Sequence, residues 1–255
     1  MGQEEIYTVR RLEPDIWAIE ERDVRCFCII GHERVLLVDT GYGGGDLAAV
    51  VRRIINEVST EENYWYALKK KQIIVINTHA DWDHVGGNYQ FDNIYMHPSE
   101  YTHYYQRCKR PQRPTPIWDG AIISLGDMEW EVVTTPGHTP GSVCLLERNR
   151  RILIAGDVIC TGDIYLWGPG RNLPAYIDSL NKLISLNSWY DKILCSHDET
   201  ELDPEYVYKV RTACGRLAAG QLESEAPPID RPCRLYRDGD VRILYDSDTK
   251  KEVIE

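Results

Sequence analysis

Ile73-Ile74-Val75-Ile76-Asn77-Thr78-His79-Ala80-Asp81-Trp82-Asp83-His84 runs from an apolar stretch straight into two imidazoles and two carboxylates. The apolar part reads as a strand over residues 72–77. The part that follows reads as a loop able to hold two divalent cations, because imidazole and carboxylate are the side chains that ligate such ions. No other local segment makes so specific a chemical statement, and the rest of the chain would have to supply the remaining ligands.

Four further positions repeat the pattern of a ligand type at the end of an apolar run. Asp39 closes Val35-Leu36-Leu37-Val38. Asp157 follows Ile152-Leu153-Ile154-Ala155 and Gly156. His197 follows Ile193-Leu194-Cys195-Ser196, and His138 lies between glycines in Thr135-Pro136-Gly137-His138-Thr139-Pro140-Gly141-Ser142. One histidine after a strand is ordinarily a packing residue. Four such sites in order, beside the dense loop, are not explained by packing.

The elements around them alternate. Strands are expected at 6–9, 16–19, 26–30 and 35–38, with Gly31-His32 as a turn between the last two. Gly43, Gly44 and Gly45 form a flexible loop, and Leu47, Val50, Val51, Ile54 and Ile55 fall at helical spacing. A short helix is expected after Gly86-Gly87, a strand at 94–96 and a helix at 99–108 capped by Ser99. Pro111, Pro114 and Pro116 then exclude regular structure. Strands follow at 121–125, 129–134, 142–147, 151–155 and 192–195. Helices are expected at 174–186, with Tyr176, Leu180 and Leu183 inward, and from Asp203-Pro204 to about Gly220. A hairpin over 233–245 ends the chain. The layout fits two sheets face to face with helices outside, organised as a single domain over 1–255. An insertion near 98–118 interrupts it, and a C-terminal helix plus hairpin at 203–246 completes it.

These positions together resemble the metallo-β-lactamase fold superfamily. Its pattern is an aspartate after an early strand, a His-x-His-x-Asp-His loop, a glycine-flanked histidine, an aspartate and a final histidine, here spread over roughly residues 5–200. The resemblance implies an αββα four-layer sandwich with a metal cleft at its edge and two divalent metal ions. It implies that His79, Asp81 and His138 hold the first ion, that Asp83, His84 and His197 hold the second, and that Asp157 bridges both. Asp39 would orient the site by hydrogen bonding. In an extended segment residues i and i+2 point the same way, so His79 and Asp81 can converge on one ion. A turn can then redirect Asp83 and His84 toward the other.

The chain departs from the pattern at Asp81, where the family has its second histidine. A carboxylate there raises the negative charge of the first site and favours a harder ion, iron or manganese, relative to zinc. Flavin-linked diiron members place a glutamate at this position, but this chain has no room for a flavin domain. The leading expectation is a metal-dependent hydrolase of a small thioester, lactone or phosphoester, with a metal-activated hydroxide as nucleophile and Asp83 as a catalytic proton acceptor. Two other readings stand beside it: a non-haem iron redox enzyme using His79, Asp81 and His138, and a metal-poor binding module. β-Lactam hydrolysis is not expected, since the fold serves many chemistries.

The net charge of −11 argues against nucleic acid as the partner. Residues 1–11 are polar and charged, and no apolar run reaches membrane-spanning length, so a cytoplasmic protein with reduced thiols is expected. Cys26-Phe27-Cys28 and Cys195 read as buried strand residues rather than ligands or nucleophiles. The segment from Tyr101 to Arg113 mixes aromatic rings with positive charge, Lys109 and Arg110 included. It is either a lid carrying Tyr105 toward an anionic, partly apolar substrate, a contact in a homodimer, or a solvated insertion. Arg171, in a glycine- and proline-rich turn, is either a carboxylate- or phosphate-binding group or an exposed turn residue. His97 and His103 are expected to pack rather than ligate.

Overall fold

The structure, a computed structural model, describes residues 6–61, 71–108 and 111–246. Seven strands, β1 (Thr8–Glu13), β2 (Ile16–Glu21), β3 (Val24–Ile30), β4 (Arg34–Val38), β5 (Gln72–Ile76), β6 (Ile94–Met96) and β7 (Thr115–Pro116), form one sheet in sequence order. A second sheet is built from β8 (Ile122–Ser124), β9 (Glu129–Thr134), β10 (Val143–Glu147), β11 (Ile152–Ile154), β13 (Lys192–Leu194) and β14 (Glu201–Leu202), in the order β14-β13-β11-β10-β9-β8.

Period-two alternation divides the apolar side chains between layers. Along β3 and β4, Phe27, Ile29, Leu36 and Val38 face the second sheet, where they meet Trp130, Val132, Val143, Leu145, Ile152 and Ile154. The residues between them, Cys26, Cys28, Val35 and Leu37, face Leu47, Val51, Ile54 and Ile55 of helix α1 (Leu47–Glu61). The outer face of the second sheet, with Cys144, Leu146 and Leu153, packs on helices α4 (Leu173–Ser185) and α5 (Glu205–Ala218). This is the expected αββα sandwich. Each fully buried leucine or isoleucine contributes about 1.5–3 kcal/mol to it. Cys26 and Cys28 fill core positions, as their sequence context indicated.

Four expectations are corrected. The short helix expected after Gly86-Gly87 is a 3-10 turn over Asn88–Gln90, but the segment before it is not simply a loop: a helical turn, α2 (Trp82–Val85), lies inside the ligand motif itself, with Asp81 at its N-cap position. A Cβ on Gly86 would come within 2.2 Å of the Tyr42 carbonyl oxygen, so that glycine is there for a close backbone approach. The first strand begins at Thr8 rather than Ile6. Pro116 does sit in a strand, β7, at the edge of the sheet, where the missing N–H costs no ladder bond. A strand absent from the sequence reading, β12 (Asp163–Leu166), pairs in parallel with β17 (Val241–Tyr245). Together with β15 (Ser224–Glu225) and β16 (Arg234–Asp238) it makes a third sheet of order β12-β17-β16-β15. The C-terminal hairpin is thereby tied to the segment just after Asp157. Helix α3 (Tyr101–Arg107) follows a 3-10 turn at Pro98–Glu100, whose cap is His97: its Nδ1 accepts from the Ser99 N–H. Among the described residues no helix is long and apolar enough to cross a membrane.

Candidate metal centre

Five strand ends deliver the predicted residues to one edge of the sandwich: β4 (Asp39), β5 (His79 to His84), β9 (His138), β11 (Asp157) and β13 (His197). Asp157 lies at the centre, and its two oxygens face two different clusters. Oδ2 stands 3.7 Å from His79 Nε2 and 3.6 Å from His138 Nε2, and Asp81 Oδ2 stands 3.7 and 3.5 Å from the same two nitrogens. Oδ1 stands 3.1 Å from His84 Nε2 and 3.3 Å from His197 Nε2, and Asp83 Oδ2 stands 3.8 and 3.5 Å from those. Ligands placed tetrahedrally at about 2.0–2.2 Å from a cation are about 3.3–3.6 Å apart. Both clusters match that spacing.

The donor atoms are also chemically prepared. His138 Nδ1 is 2.9 Å from the Tyr165 carbonyl, His197 Nδ1 is 2.6 Å from the Asp23 carbonyl, and His84 Nδ1 is 2.8 Å from Asp39 Oδ2. Each acceptor can only accept, so each Nδ1 carries a proton, and in the neutral ring each Nε2 keeps its lone pair. His79 is set by a relay: the Thr78 hydroxyl donates to Asp39 Oδ2, which leaves its oxygen to accept from His79 Nδ1–H at 3.0 Å. In their neutral form all four imidazoles thus present a bare Nε2 to the cleft. His79 Nε2 and His138 Nε2 in the first cluster, and Asp157 Oδ1 in the second, are buried without a hydrogen-bond partner, an arrangement that is costly unless cations occupy the clusters.

Charge follows geometry. Burial lowers the His79 pKa to about 4, and burial with the nearby Arg171 charge holds His138 well below its ordinary value, so both imidazoles are neutral at neutral pH. Burial works the same way on His197, but Asp157 outweighs it and raises the imidazole to about 9. Asp157 is itself held ionised against its burial by His197, His84 and His79. A cation entering the second cluster therefore displaces protons. Burial pushes the Cys160 and Cys195 thiols up, so neither is a thiolate nucleophile.

The family model described as the metallo-beta-lactamase superfamily matches residues 19–197. The chain belongs to this superfamily. An acyl-coenzyme A thioesterase of Homo sapiens is 26% identical over 238 residues, covering 78% of this chain and 84% of its own. A hydroxyacylglutathione hydrolase of Trichodesmium erythraeum (strain IMS101) is 28% identical over 194 residues, 71% of this chain and 72% of its own. The solved structure of a metallo-beta-lactamase from Pontibacter korlensis superposes with a TM-score of 0.65 at 16% identity, covering 82% of this chain and 99% of that one.

Against the superfamily pattern, the surroundings of Asp81 correct the expectation that the first cluster simply gains negative charge. Arg107 Nη1 pairs with Asp81 Oδ1 and Arg171 Nη2 with Asp81 Oδ2. Of the two readings of Arg171, anion-binding group or exposed turn residue, the buried pairing fits the first, and the carboxylate it binds is this protein's own. Tyr105 does not reach the cleft; it is exposed and contacts the rings of Tyr101 and Tyr104. Lys109 and Arg110 lie outside the described residues. The cleft, about 760 Å³, is walled instead by Tyr42, Trp82, Tyr165 and Trp167 beside the two clusters. Trp82 and Tyr165 are exposed by 59% and 37%.

Two positioning residues escaped the sequence reading. Arg25, far away in sequence, donates to the Cys195 and Asp198 carbonyls and so fixes the chain on both sides of His197. Glu100 is fully buried; its Oε2 accepts from the Ala80 N–H at 2.8 Å and its Oε1 from the Gly141 N–H at 2.7 Å. It ties the loop of His79 to the loop of His138. Through Glu100, the segment expected as an insertion braces the first cluster. Glu100→Gln replaces one acceptor oxygen by an NH2 that must face an N–H. We expect cation affinity at the first cluster to fall by about 10–100-fold, as loss of an outer partner does, measured by competition with a chromophoric chelator. Unchanged affinity would refute the brace.

Proposed function

We propose that this protein is a metal-dependent hydrolase of small thioesters, holding two divalent cations. His79, Asp81, His138 and Asp157 hold one; Asp83, His84, His197 and Asp157 hold the other. The observation that carries this reading is the split of Asp157, one oxygen to each cluster. Donor sets of two imidazoles and two carboxylates suit zinc, iron(II) or manganese(II). Cations bound there supply Lewis acidity, which polarises a carbonyl and lowers the pKa of a water.

The protein's own groups then have simple tasks. The clusters orient the reacting carbonyl and water, and Asp83 takes the proton released as water attacks. The aromatic wall of Tyr42, Trp82 and Tyr165 excludes solvent and seats the apolar part of the substrate. A thioester suits this centre because its leaving thiolate, with a parent thiol pKa of about 8.5, departs without a proton donor. The relatives named as a thioesterase and a hydroxyacylglutathione hydrolase point to the same bond. All eight cysteines are buried free thiols, which supports the cytoplasm as the compartment.

The test is thiol release from acyl-coenzyme A and acylglutathione substrates by protein whose cations have been counted. We expect kcat/KM of at least about 10⁴ M⁻¹ s⁻¹ on one class, abolished by chelation and restored by added cation. Turnover of lactones or phosphodiesters with no thiol release would displace the thioester reading. Fewer than one bound cation per chain would displace the metal centre.

A further inference from the structure

Asp81, Arg107 and Arg171 come from three separate places: the N-cap of α2, the last residue of α3 and the turn before α4. They meet as a triad, one guanidinium on each carboxylate oxygen. The Arg171 side chain is only 9% exposed and that of Arg107 33%. Among the described residues neither guanidinium has another side-chain acceptor. The two guanidiniums are near enough for the charge of Arg171 to act on Arg107, so the carboxylate is what holds two like charges together.

We infer that Arg107 and Arg171 are the counter-charges that let an aspartate stand where the superfamily pattern has a histidine. Positions 81, 107 and 171 work as one unit. Replacing a neutral imidazole by a carboxylate adds one negative charge beside His79 and His138. The arginines offset that charge, and they hold the carboxylate at ligand distance from both nitrogens. Conversely, an imidazole at position 81 would leave the buried Arg171 and the partly exposed Arg107 guanidiniums facing each other without the carboxylate that pairs with both, next to a site meant for a dication. Arg107 and Arg171 are thus positioning residues for the first cluster. This inference rests on the metal-centre reading of that cluster.

The experiment compares Asp81→His alone with Asp81→His combined with Arg107→Gln and Arg171→Gln. Two quantities are read: the thermal midpoint of chelator-stripped protein, and zinc equivalents retained after reloading. Asp81→His alone should lower the midpoint by roughly 10 °C and cost one equivalent of zinc. The combined variant should recover both. Wild-type behaviour of Asp81→His, or a combined variant no better than it, would overturn the inference. If Asp81→His proves insoluble, recovery of soluble protein by the two arginine changes gives the same answer, and failure to recover it counts against the unit. Wild-type protein that takes up no cation would defeat the metal-centre reading alone, because the stripped-protein midpoints still decide whether the three charges are coupled.

Discussion

Asp157→Asn will empty both clusters and lower kcat/KM on the best thioester by roughly 10³-fold or more. Asparagine has the volume of aspartate, so packing around Val158 and Ile159 is retained. What it lacks is a second anionic oxygen. Its oxygen can serve one cluster, and its NH2 then points at the Nε2 atoms of the other, where it can donate to a bare nitrogen but cannot ligate a cation. Elemental analysis should fall from two cations per chain to fewer than one. The contrast is His79→Ala, which removes a ligand atom from the first cluster alone and should leave one cation behind. If Asp157→Asn keeps two cations or a tenth of the activity, the bridging role assigned to this residue is wrong.

Most of this architecture was legible because its signals are local. Apolar runs of four or five residues ending in a histidine or aspartate announce buried strands with a polar group at the rim, and each of β4, β5, β11 and β13 was found where such a run lies. The burial of Cys26, Phe27, Cys28 and Ile29 is likewise legible, because an unbroken apolar run marks a strand covered on both faces, while their division between two layers appears only in the structure. The strand β12 was not legible: Asp163-Ile164-Tyr165-Leu166 is short, and its partner β17 lies almost eighty residues away in the chain, so it exists because of pairing rather than propensity. The helical turn α2 was hidden for a different reason. A motif read as extended through Asp81 gives no sign of where its geometry changes, and the change is set by the close passage of Gly86 against Tyr42.

The site divides along the same line. Residues that ligate carry chemistry visible in their type. Residues that hold ligands in place do not: Glu100 and Arg107 belong to an insertion whose charges look like surface, and Arg25 looks like any strand arginine. Their roles depend on contacts between segments far apart in sequence, and nothing in a local window reports those contacts. Asp39 was found because it ends a strand, but its reach was underestimated.

That reach makes Asp39 the second site of large effect. The residue is fully buried and sits at φ +63°, and its carboxylate accepts from the Thr78 N–H, the Thr78 hydroxyl and His84 Nδ1–H at 2.8, 2.7 and 2.8 Å. Asp39→Ala strands all three donors and places a Cβ-bearing residue in left-handed backbone without a polar side chain to support it. The loss should be about 3–5 kcal/mol, read as a lower midpoint in denaturant. Asp39→Asn separates folding from ligation. Asparagine tolerates left-handed backbone, and its oxygen can still accept from the Thr78 N–H. Its NH2, however, turns the carboxylate's acceptor into a donor. His84 Nδ1 must then accept, which moves the imidazole proton to Nε2, the atom that faces the cleft. The Thr78 hydroxyl must donate toward His79 Nδ1, which reverses that ring as well. Two of the four bare nitrogens would carry hydrogens. Cation affinity should therefore fall by at least about 10–100-fold in a protein that still folds, and a chelator titration measures it. Asp39→Asn with wild-type affinity would mean that the tautomers are not set by this carboxylate, and the relay through Thr78 would have to be abandoned.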